Sequence, residues 1–284
     1  AGTLGLSNLI MFYDANEVQL STRVNEVTHE DTAAKYQAWG WNVITINGNN
    51  ADEIIKALQA ANAEKERPTL IIGKTLMGKG AMGANGEDFS DKVSTHGQPL
   101  TGAGASIEKT IENLGGDPQN PFTIFPEVAE FYAKVLDEKR AYAKAKKAEQ
   151  AAWEKVNPEL AAKLHKFLSG KAPEIDYKAI QHKANIATRA ASADVLVALA
   201  QQVENMIVSS ADLSNSDKTD GFIKGGARNL VKGDFSGAFF QAGVAELTMA
   251  VICNGIALHG GIFVACGTFF VFSDYMKPAV RMAA

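Results

Sequence analysis

The stretch that decides the fold is FFQAGVAELTMAVICNGIALHGGIFVACGTFFVFSDYMKPAVRMAA, residues 239–284. Apolar residues recur at helical spacing through its first half, and Gly260 and Gly261 then end the predicted helix. The apolar run Ile262–Ala265 that follows predicts a buried strand of a parallel sheet. A helix that leads directly into a buried strand is typical of an α/β domain.

Two features of this stretch have both a structural and a functional explanation. Glu246 opens the predicted helix with no basic residue nearby in the sequence, and the helix dipole alone favours an acid there. Phe269, Phe272 and Tyr275 lie three residues apart, so they share one side of a helix or turn and could belong to the core. Alternatively, a carboxylate beside an aromatic platform is suited to hold a flat, nitrogen-containing ring.

Length and composition predict a globular protein of about two domains. The chain has 284 residues, of which 46% are hydrophobic and 21% charged. A net charge of −4 gives no electrostatic footprint for nucleic acid or an anionic membrane. No apolar stretch of about 20 residues predicts a membrane span. Cys253 and Cys266 lie in apolar runs without metal-ligand spacing, which favours small buried hydrophobes and a reducing cytoplasm.

Strands and helices alternate along the first half of the chain. The predicted elements are strand Leu9–Tyr13, helix Asp31–Trp39, strand Trp41–Ile46, helix Ala51–Lys65 and strand Thr69–Thr75. This βαβ pattern predicts a parallel sheet, whose strand ends are where ligands bind. A long loop without periodicity, residues 78–104, and a long charged helix beginning at Pro126 follow. The common hydrolase, zincin, P-loop and CxxC motifs are absent.

The opening stretch resembles the pyrimidine-binding domain of the transketolase family, whose cofactor is thiamine diphosphate. The resemblance lies in GVAELTMAVICNGIALHGG and GTFFVFSDYMKPAVRMAA. It implies that Glu246 bonds the aminopyrimidine N1′ and that Phe269, Phe272 and Tyr275 surround that ring. One departure is Ala245, where the family usually has Arg.

Residues 12–22, FYDANEVQLST, are similar to the second half of the family's cofactor motif. The resemblance implies that the Asn16 side chain and the Val18 carbonyl bind Mg²⁺, or Ca²⁺ or another divalent cation. Leu20 then packs against the thiazolium ring. The first half of the motif, GDG, whose aspartate also binds the metal, is absent from the chain. Without the resemblance, an ordinary turn in which Asp14 and Asn16 bond their own backbone is an equally good interpretation.

Residues 94–100, STHGQPL, are similar to the family's SHGxPL signature. It implies that His96 hydrogen-bonds the sugar donor, or exchanges a proton with it, near the reacting carbon. Met77 falls at the position that covers the thiazolium. A lone histidine in a loop is otherwise more often a solvent-exposed residue. His29, His165 and His182 match nothing catalytic and are expected at the surface.

Two segments of the second half match the family's sugar-phosphate site. IATRAAS implies that Arg189 holds the substrate phosphate, and ADLSNSD implies the same for the hydroxyl of Ser216. The planar guanidinium of arginine suits a phosphate because it donates two hydrogen bonds at once. Asp212 falls near the cofactor, and Leu213 packs against its ring. An exposed arginine and an ordinary loop serine are the structural alternatives.

The resemblance covers essentially the whole chain and predicts its architecture. We expect an α/β fold of two incomplete thiamine diphosphate-binding-fold domains with parallel sheets, joined by a long helical linker. The predicted parts are residues 1–124 (diphosphate-binding), 125–185 (linker) and 186–284 (pyrimidine-binding). On this interpretation the chain is an internal part of a longer enzyme, lacking the GDG segment and a C-terminal domain.

The implied activity is reversible transfer of a two-carbon ketol unit from a ketose phosphate to an aldose phosphate in the pentose phosphate pathway. The resemblance also implies a cytoplasmic homodimer that takes sugar phosphates. The isolated chain is expected to be inactive and to bind the cofactor weakly. The alternatives are a dihydroxyacetone synthase, another thiamine-dependent transferase, or a non-catalytic split module that needs a partner chain.

Overall fold

The computed structural model describes all 284 residues and divides into two compact units, residues 1–139 and 140–284. The elements of the first unit are β1 (Ile10–Ala15), α1 (Thr32–Ala38), β2 (Asn42–Asn47), α2 (Ala51–Ala63), β3 (Thr69–Lys74), α3 (Leu100–Ala103) and α4 (Ile107–Asn113). A helix of 31 residues, α5 (Pro126–Val156), contains the boundary between the units and has no buried residue. The predicted α/β class is therefore confirmed.

The first unit is built on a three-stranded parallel sheet with the order β1-β3-β2. Both outer strands run in register with β3, so that Ile10 and Asn42 each lie opposite Thr69. A central strand of a parallel sheet is covered on both faces, which requires a continuous apolar run. The sequence TLIIGK of β3 meets that requirement, and its first five residues are buried.

Two clusters cover the two faces of β3. Leu70 and Ile72 pack with Trp41 on one face, whereas Ile71 packs with Ala57 and Ala61 of α2 on the other. Successive side chains of a strand point to opposite faces, so adjacent residues of β3 belong to different clusters. The small alanines allow α2 to approach the sheet closely.

The loop predicted for residues 78–104 is more structured than its sequence indicates. It contains a 3₁₀ turn at Val93–Thr95 and the four-residue helix α3. Met82 forms isolated bridges with Asp88 and Ser106. The lack of periodicity did not indicate these elements, because they are too short to give a periodic pattern.

The second unit repeats the architecture of the first. Its elements are α6 (Pro158–Leu168), α7 (Thr188–Gln202), β4 (Met206–Ser210), α8 (Ser214–Asp217), α9 (Gly221–Lys224), β5 (Phe239–Gln241), α10 (Glu246–His259), β6 (Phe263–Gly267) and α11 (Lys277–Ala283). The sheet is parallel with the order β5-β4-β6. None of the helices in either unit combines the length and the apolarity that a membrane crossing needs.

Close helix packing supports one face of this second sheet. Leu196 of α7, Val208 of β4 and Phe222 of α9 form a core cluster with Phe239. Gly221 allows the contact between the helices, because a Cβ atom there would lie 2.5 Å from the Ala193 carbonyl oxygen. That distance is shorter than any real contact, so α7 and α9 could not keep their spacing with a larger residue.

A pair of glycine-to-alanine substitutions tests this packing. We expect Gly221→Ala to destabilise the second unit by about 1–3 kcal/mol, because the added methyl group meets the backbone of α7. Gly255→Ala in α10 is the matched control, since nothing lies within 4 Å of its Cβ position. It should stabilise the helix by about 0.4–1 kcal/mol. Urea unfolding measures both; equal effects of the two changes would contradict the packing.

Candidate active-site residues in the two units

The turn that follows β1 positions the two predicted metal ligands of the first unit. The side-chain Oδ1 of Asn16 accepts a hydrogen bond of 3.1 Å from the Val18 amide. Glu17 between them adopts a left-handed conformation with φ 61°. The Val18 carbonyl accepts no backbone hydrogen bond. The Asn16 side chain thus bonds the nearby backbone, as in the ordinary turn that is the alternative to metal binding. The Val18 carbonyl oxygen remains without a backbone donor.

Leu20 lies beside the loop that carries His96. Its side chain is 67% exposed, and a Cβ atom on Gly97 would lie 2.7 Å from its Cδ1 atom. The Nδ1 atom of His96 is buried and has no hydrogen-bond partner. The structure therefore brings Leu20 and the His96 segment together, although they are far apart in the sequence. A buried, unpaired ring nitrogen is costly, which is typical of a position whose partner is a ligand.

Arg23 links the segment after β1 to the loop that contains Asp91, a role that was not predicted from the sequence. Its guanidinium donates hydrogen bonds of 2.7 Å to the Asp91 carboxylate and 2.5 Å to the Asp91 carbonyl. The hydrogen bond to Asp91 raises the pKa of Arg23 above its ordinary value. The Asp91 amide in turn donates to the Met77 carbonyl at 2.7 Å. Met77 is thus held by its backbone in the group of loops that contains Leu20 and His96.

Glu246 is the first residue of α10, and most of its surface is buried. It is 8% exposed, and no hydrogen bond or ion pair within the chain engages it. Ala245 before it contributes no charge. A carboxylate without a partner is strongly disfavoured in a protein interior, even with the favourable dipole of the helix start. The position therefore has the character of a binding residue whose partner is a ligand.

The aromatic platform predicted from the sequence is present. The rings of Phe269 and Phe272 lie 6.1 Å apart, and those of Phe272 and Tyr275 lie 6.2 Å apart at an interplanar angle of 25°. The segment Phe270–Met276 is a 3₁₀-helix, in which residues three apart are eclipsed. A spacing of three thus aligns the three rings along one side. Tyr275, 62% exposed, presents its ring to the outside.

The segment after β4 contains the predicted residues Asp212, Leu213 and Ser216. Asp212 is exposed and left-handed with φ 63°. The Leu213 amide donates to the Ser210 hydroxyl at 3.3 Å. The Ser216 hydroxyl donates to the neighbouring Asn215 side chain at 3.2 Å. These contacts are local, so the structure places the three residues together at the carboxyl end of β4 without assigning them a ligand.

Arg189 borders a cleft of about 490 Å³ at the end of β6. Residues that line it include Thr188, Asp217, Thr219, Thr268 and Phe269. Ser216 does not line this cleft, so the two predicted phosphate ligands are not brought together there. Asp217, which the sequence analysis missed, accepts hydrogen bonds from the Ser210 hydroxyl at 3.0 Å and from the Thr219 amide and hydroxyl at 2.8 Å each. Asp217 is the last residue of the segment ADLSNSD, and nothing in that pattern predicts that it accepts these hydrogen bonds.

The segment GKGAMG, residues 78–83, has the glycine spacing of a dinucleotide-binding loop. It comes shortly after β3, but no helix begins within it or directly after it. Such a loop binds a pyrophosphate at a helix N-terminus, which is missing here. The fold therefore gives this spacing no support as a dinucleotide site.

The three histidines predicted to lie at the surface, His29, His165 and His182, are exposed. The His182 ring contacts the Asp194 carboxylate at 3.0 Å.

Two family models match almost the entire chain. Residues 1–173 match the thiamine diphosphate-binding domain of transketolase, and residues 184–284 match its pyrimidine-binding domain. Among curated proteins, the chain is 39% identical to a transketolase of Geobacillus stearothermophilus and 38% identical to a transketolase 2 of Vibrio vulnificus. Both matches cover 100% of this chain and 42% of the relative.

Solved structures give the same result. The transketolase of Leishmania mexicana matches with a TM-score of 0.90 and 28% identity, covering 100% of this chain and 42% of that protein. A transketolase of Pichia stipitis, in complex with sedoheptulose-7-phosphate, matches with a TM-score of 0.88 and 30% identity over 99% of this chain. The chain thus spans less than half the length of these relatives, and it belongs to the transketolase family.

Proposed function

We propose that this chain is the part of a transketolase that contributes residues to the thiamine diphosphate and sugar-phosphate sites. The activity is transfer of a two-carbon ketol unit from a ketose phosphate, of the xylulose 5-phosphate type, to an aldose phosphate. One observation carries the proposal. Glu246 is a largely buried residue whose carboxylate has no partner within the chain, and the helix that it begins packs against the strand and the 3₁₀-helix that present the stacked aromatic rings.

The residues of the second unit suit an aminopyrimidine. The Glu246 carboxylate would accept a hydrogen bond from the protonated ring nitrogen, and its burial strengthens that bond because the local dielectric is low. Phe269, Phe272 and Tyr275 offer flat surfaces on which the ring can stack. When bound, thiamine diphosphate supplies an electron sink for the carbon–carbon bond cleavage. Glu246 holds a proton at the ring nitrogen and so keeps the ring in its reactive tautomer.

The residues of the first unit suit the metal–diphosphate end of the cofactor. The Asn16 side chain and the Val18 carbonyl are hard oxygen ligands of the kind that Mg²⁺ or Ca²⁺ prefers. Both are neutral, and the chain contains no cluster of acids and histidines that could hold a metal ion. We propose that the diphosphate itself and a carboxylate outside this chain complete the coordination. Leu20 and Met77 supply apolar surface for the thiazolium ring.

The sugar phosphate is the proposed ligand of the remaining residues. We propose that Arg189 donates to its phosphate group and that the Ser216 hydroxyl, although it does not line the cleft beside Arg189, is a second donor. Asp212 and Leu213 line the adjacent part of the cofactor site. His96 orients the sugar near the reacting carbon, and the unpaired, buried Nδ1 atom supports a ligand there. The Pichia stipitis relative binds sedoheptulose-7-phosphate, which supports sugar phosphates as substrates.

Further properties of the family complete the proposal. The enzyme would be a cytoplasmic homodimer of the pentose phosphate pathway. Within this chain, the diphosphate-binding part would end at residue 124 and the linker at residue 185. A dihydroxyacetone synthase is an alternative, because the cofactor residues do not determine the acceptor sugar. A non-catalytic module that requires a partner chain is another, since the GDG sequence is absent from this chain.

A chimera tests the proposed function directly. The chain replaces its homologous segment in the Geobacillus stearothermophilus transketolase, to which it is 39% identical. We expect the chimera to transfer a ketol unit from xylulose 5-phosphate to ribose 5-phosphate. Formaldehyde as acceptor distinguishes a dihydroxyacetone synthase. A folded, cofactor-loaded chimera without any transfer activity would contradict the proposal and leave the non-catalytic module.

Substitution of Glu246 tests the principal residue. Glu246→Gln in the chimera should lower kcat by several orders of magnitude, because an amide has no charge to stabilise the proton at the ring nitrogen. Glu204→Gln is the control, since Glu204 is exposed and pairs only with Lys163 at 2.8 Å. Steady-state kinetics and circular dichroism of both variants make the comparison. Normal turnover of the Glu246 variant would exclude the assigned role.

Arg189 is tested by comparing donors with and without a phosphate group. Arg189→Ala should raise KM for phosphorylated donors roughly ten- to a hundredfold, which corresponds to about 1.5–3 kcal/mol for hydrogen bonds to a charged group. Turnover of hydroxypyruvate, which lacks the phosphate, should change little. Arg228→Ala, which removes an exposed arginine paired with Asp234, controls for lost charge. Equal effects of Arg189→Ala on both donors would count against phosphate binding.

A further inference from the structure

The fold brings together the only two cysteines of the chain. Cys253 lies on α10 and Cys266 lies on β6, the two elements that pack against each other in the second unit. Cys253 belongs to a core cluster with Ala211 and Met249, and Cys266 packs against that cluster. Both thiols are reduced in the structure. The sequence alone had indicated two independent small hydrophobes.

The two thiols differ in their acid–base chemistry. The hydrogen bond between them, together with burial, raises the pKa of Cys253 above the ordinary value of a thiol. The same hydrogen bond lowers the pKa of Cys266 to about 7, because it stabilises the Cys266 thiolate. The thiolate is the nucleophilic form of cysteine, so the reactive member of the pair is Cys266.

Cys266 is also the more solvent-accessible of the two thiols. Cys253 is 7% exposed and lies within the core cluster. Cys266 is only partly buried, and it lines the 490 Å³ cleft that Arg189 borders. A small reagent in this cleft therefore contacts Cys266, whereas Cys253 does not line the cleft. An accessible thiolate with a second thiol next to it is the arrangement of a peroxide-reactive cysteine and its resolving partner.

We propose that Cys253 and Cys266 are a site of oxidative modification that forms an intramolecular disulfide with hydrogen peroxide as the oxidant. The Cys266 sulfur attacks one peroxide oxygen, the O–O bond breaks, and the released hydroxide takes up a proton to become water. Cys266 is then a sulfenic acid. The Cys253 sulfur attacks the Cys266 sulfur, the S–O bond breaks, and the hydroxyl leaves as a second water with the thiol proton. The two thiols lose two electrons, which reduce the peroxide.

The disulfide would connect two elements of the second unit. It would tie α10, which begins with Glu246, to β6, which leads through Gly267 and Thr268 into the aromatic segment. It would also remove a thiol from the wall of the cleft. This chemistry depends only on the fold of the unit, so it holds whether or not the proposed enzymatic function is correct.

Oxidation of the purified 284-residue chain with one equivalent of hydrogen peroxide tests the proposal. We expect the monomer to lose two hydrogen atoms in mass and both titratable thiols, and to regain them with dithiothreitol. A peptide map should contain the 253–266 cross-link. The disulfide should form at least about tenfold faster in the folded chain than in urea, because the fold holds the thiols at high effective concentration.

The single-cysteine variants assign the two roles. Cys253→Ser should leave a Cys266 sulfenic acid that dimedone traps, whereas Cys266→Ser should leave Cys253 almost unreactive while the chain is folded. Circular dichroism checks that both variants keep their secondary structure. The proposal is overturned if peroxide gives only disulfides between chains, if folded and unfolded chains oxidise equally fast, or if the two variants react alike.

Discussion

The structure depends on one constraint, which is that the central strand of each parallel sheet must be apolar on both faces. The buried run of β3 meets it in the first unit, where helix α2 and the Trp41 cluster cover opposite faces. Because all strands of a sheet run the same way, their carboxyl ends share one edge. The turn containing Asn16 and the segment containing Met77 follow neighbouring strands and therefore start side by side.

In the second unit, two polar residues lie at the carboxyl end of the central strand β4. Ser209 and Ser210 end β4 and are fully buried, so their hydroxyls need partners. Ser209 donates to the Phe240 carbonyl at 2.7 Å, and Ser210 donates to Asp217. Asp217 also accepts from Thr219 and thus fixes the loop that follows the strand. The walls of the cleft beside Arg189 are built on this network.

Two polar groups lack a hydrogen-bond partner within the chain at positions where the proposed function places a ligand. The His96 Nδ1 atom is buried without a partner, and Glu246, 8% exposed, makes no hydrogen bond within the chain through its carboxylate. A fold selected for stability alone would replace them with apolar residues or pair them. Their presence is consistent with ligands that complete the hydrogen bonding. Ala245, which has no charge, increases the dependence of Glu246 on such a ligand.

The sequence determined the α/β class, most helix and strand positions, and the spacing that aligns Phe269, Phe272 and Tyr275, because these follow from local periodicity. Family motifs supplied the candidate site residues. Only the tertiary structure placed β3 and β4 at the centre of their sheets, joined Arg23 to Asp91, and brought Cys253 next to Cys266. These contacts join residues that are not neighbours along the chain, and side-chain pattern alone contains no information on which distant residues meet.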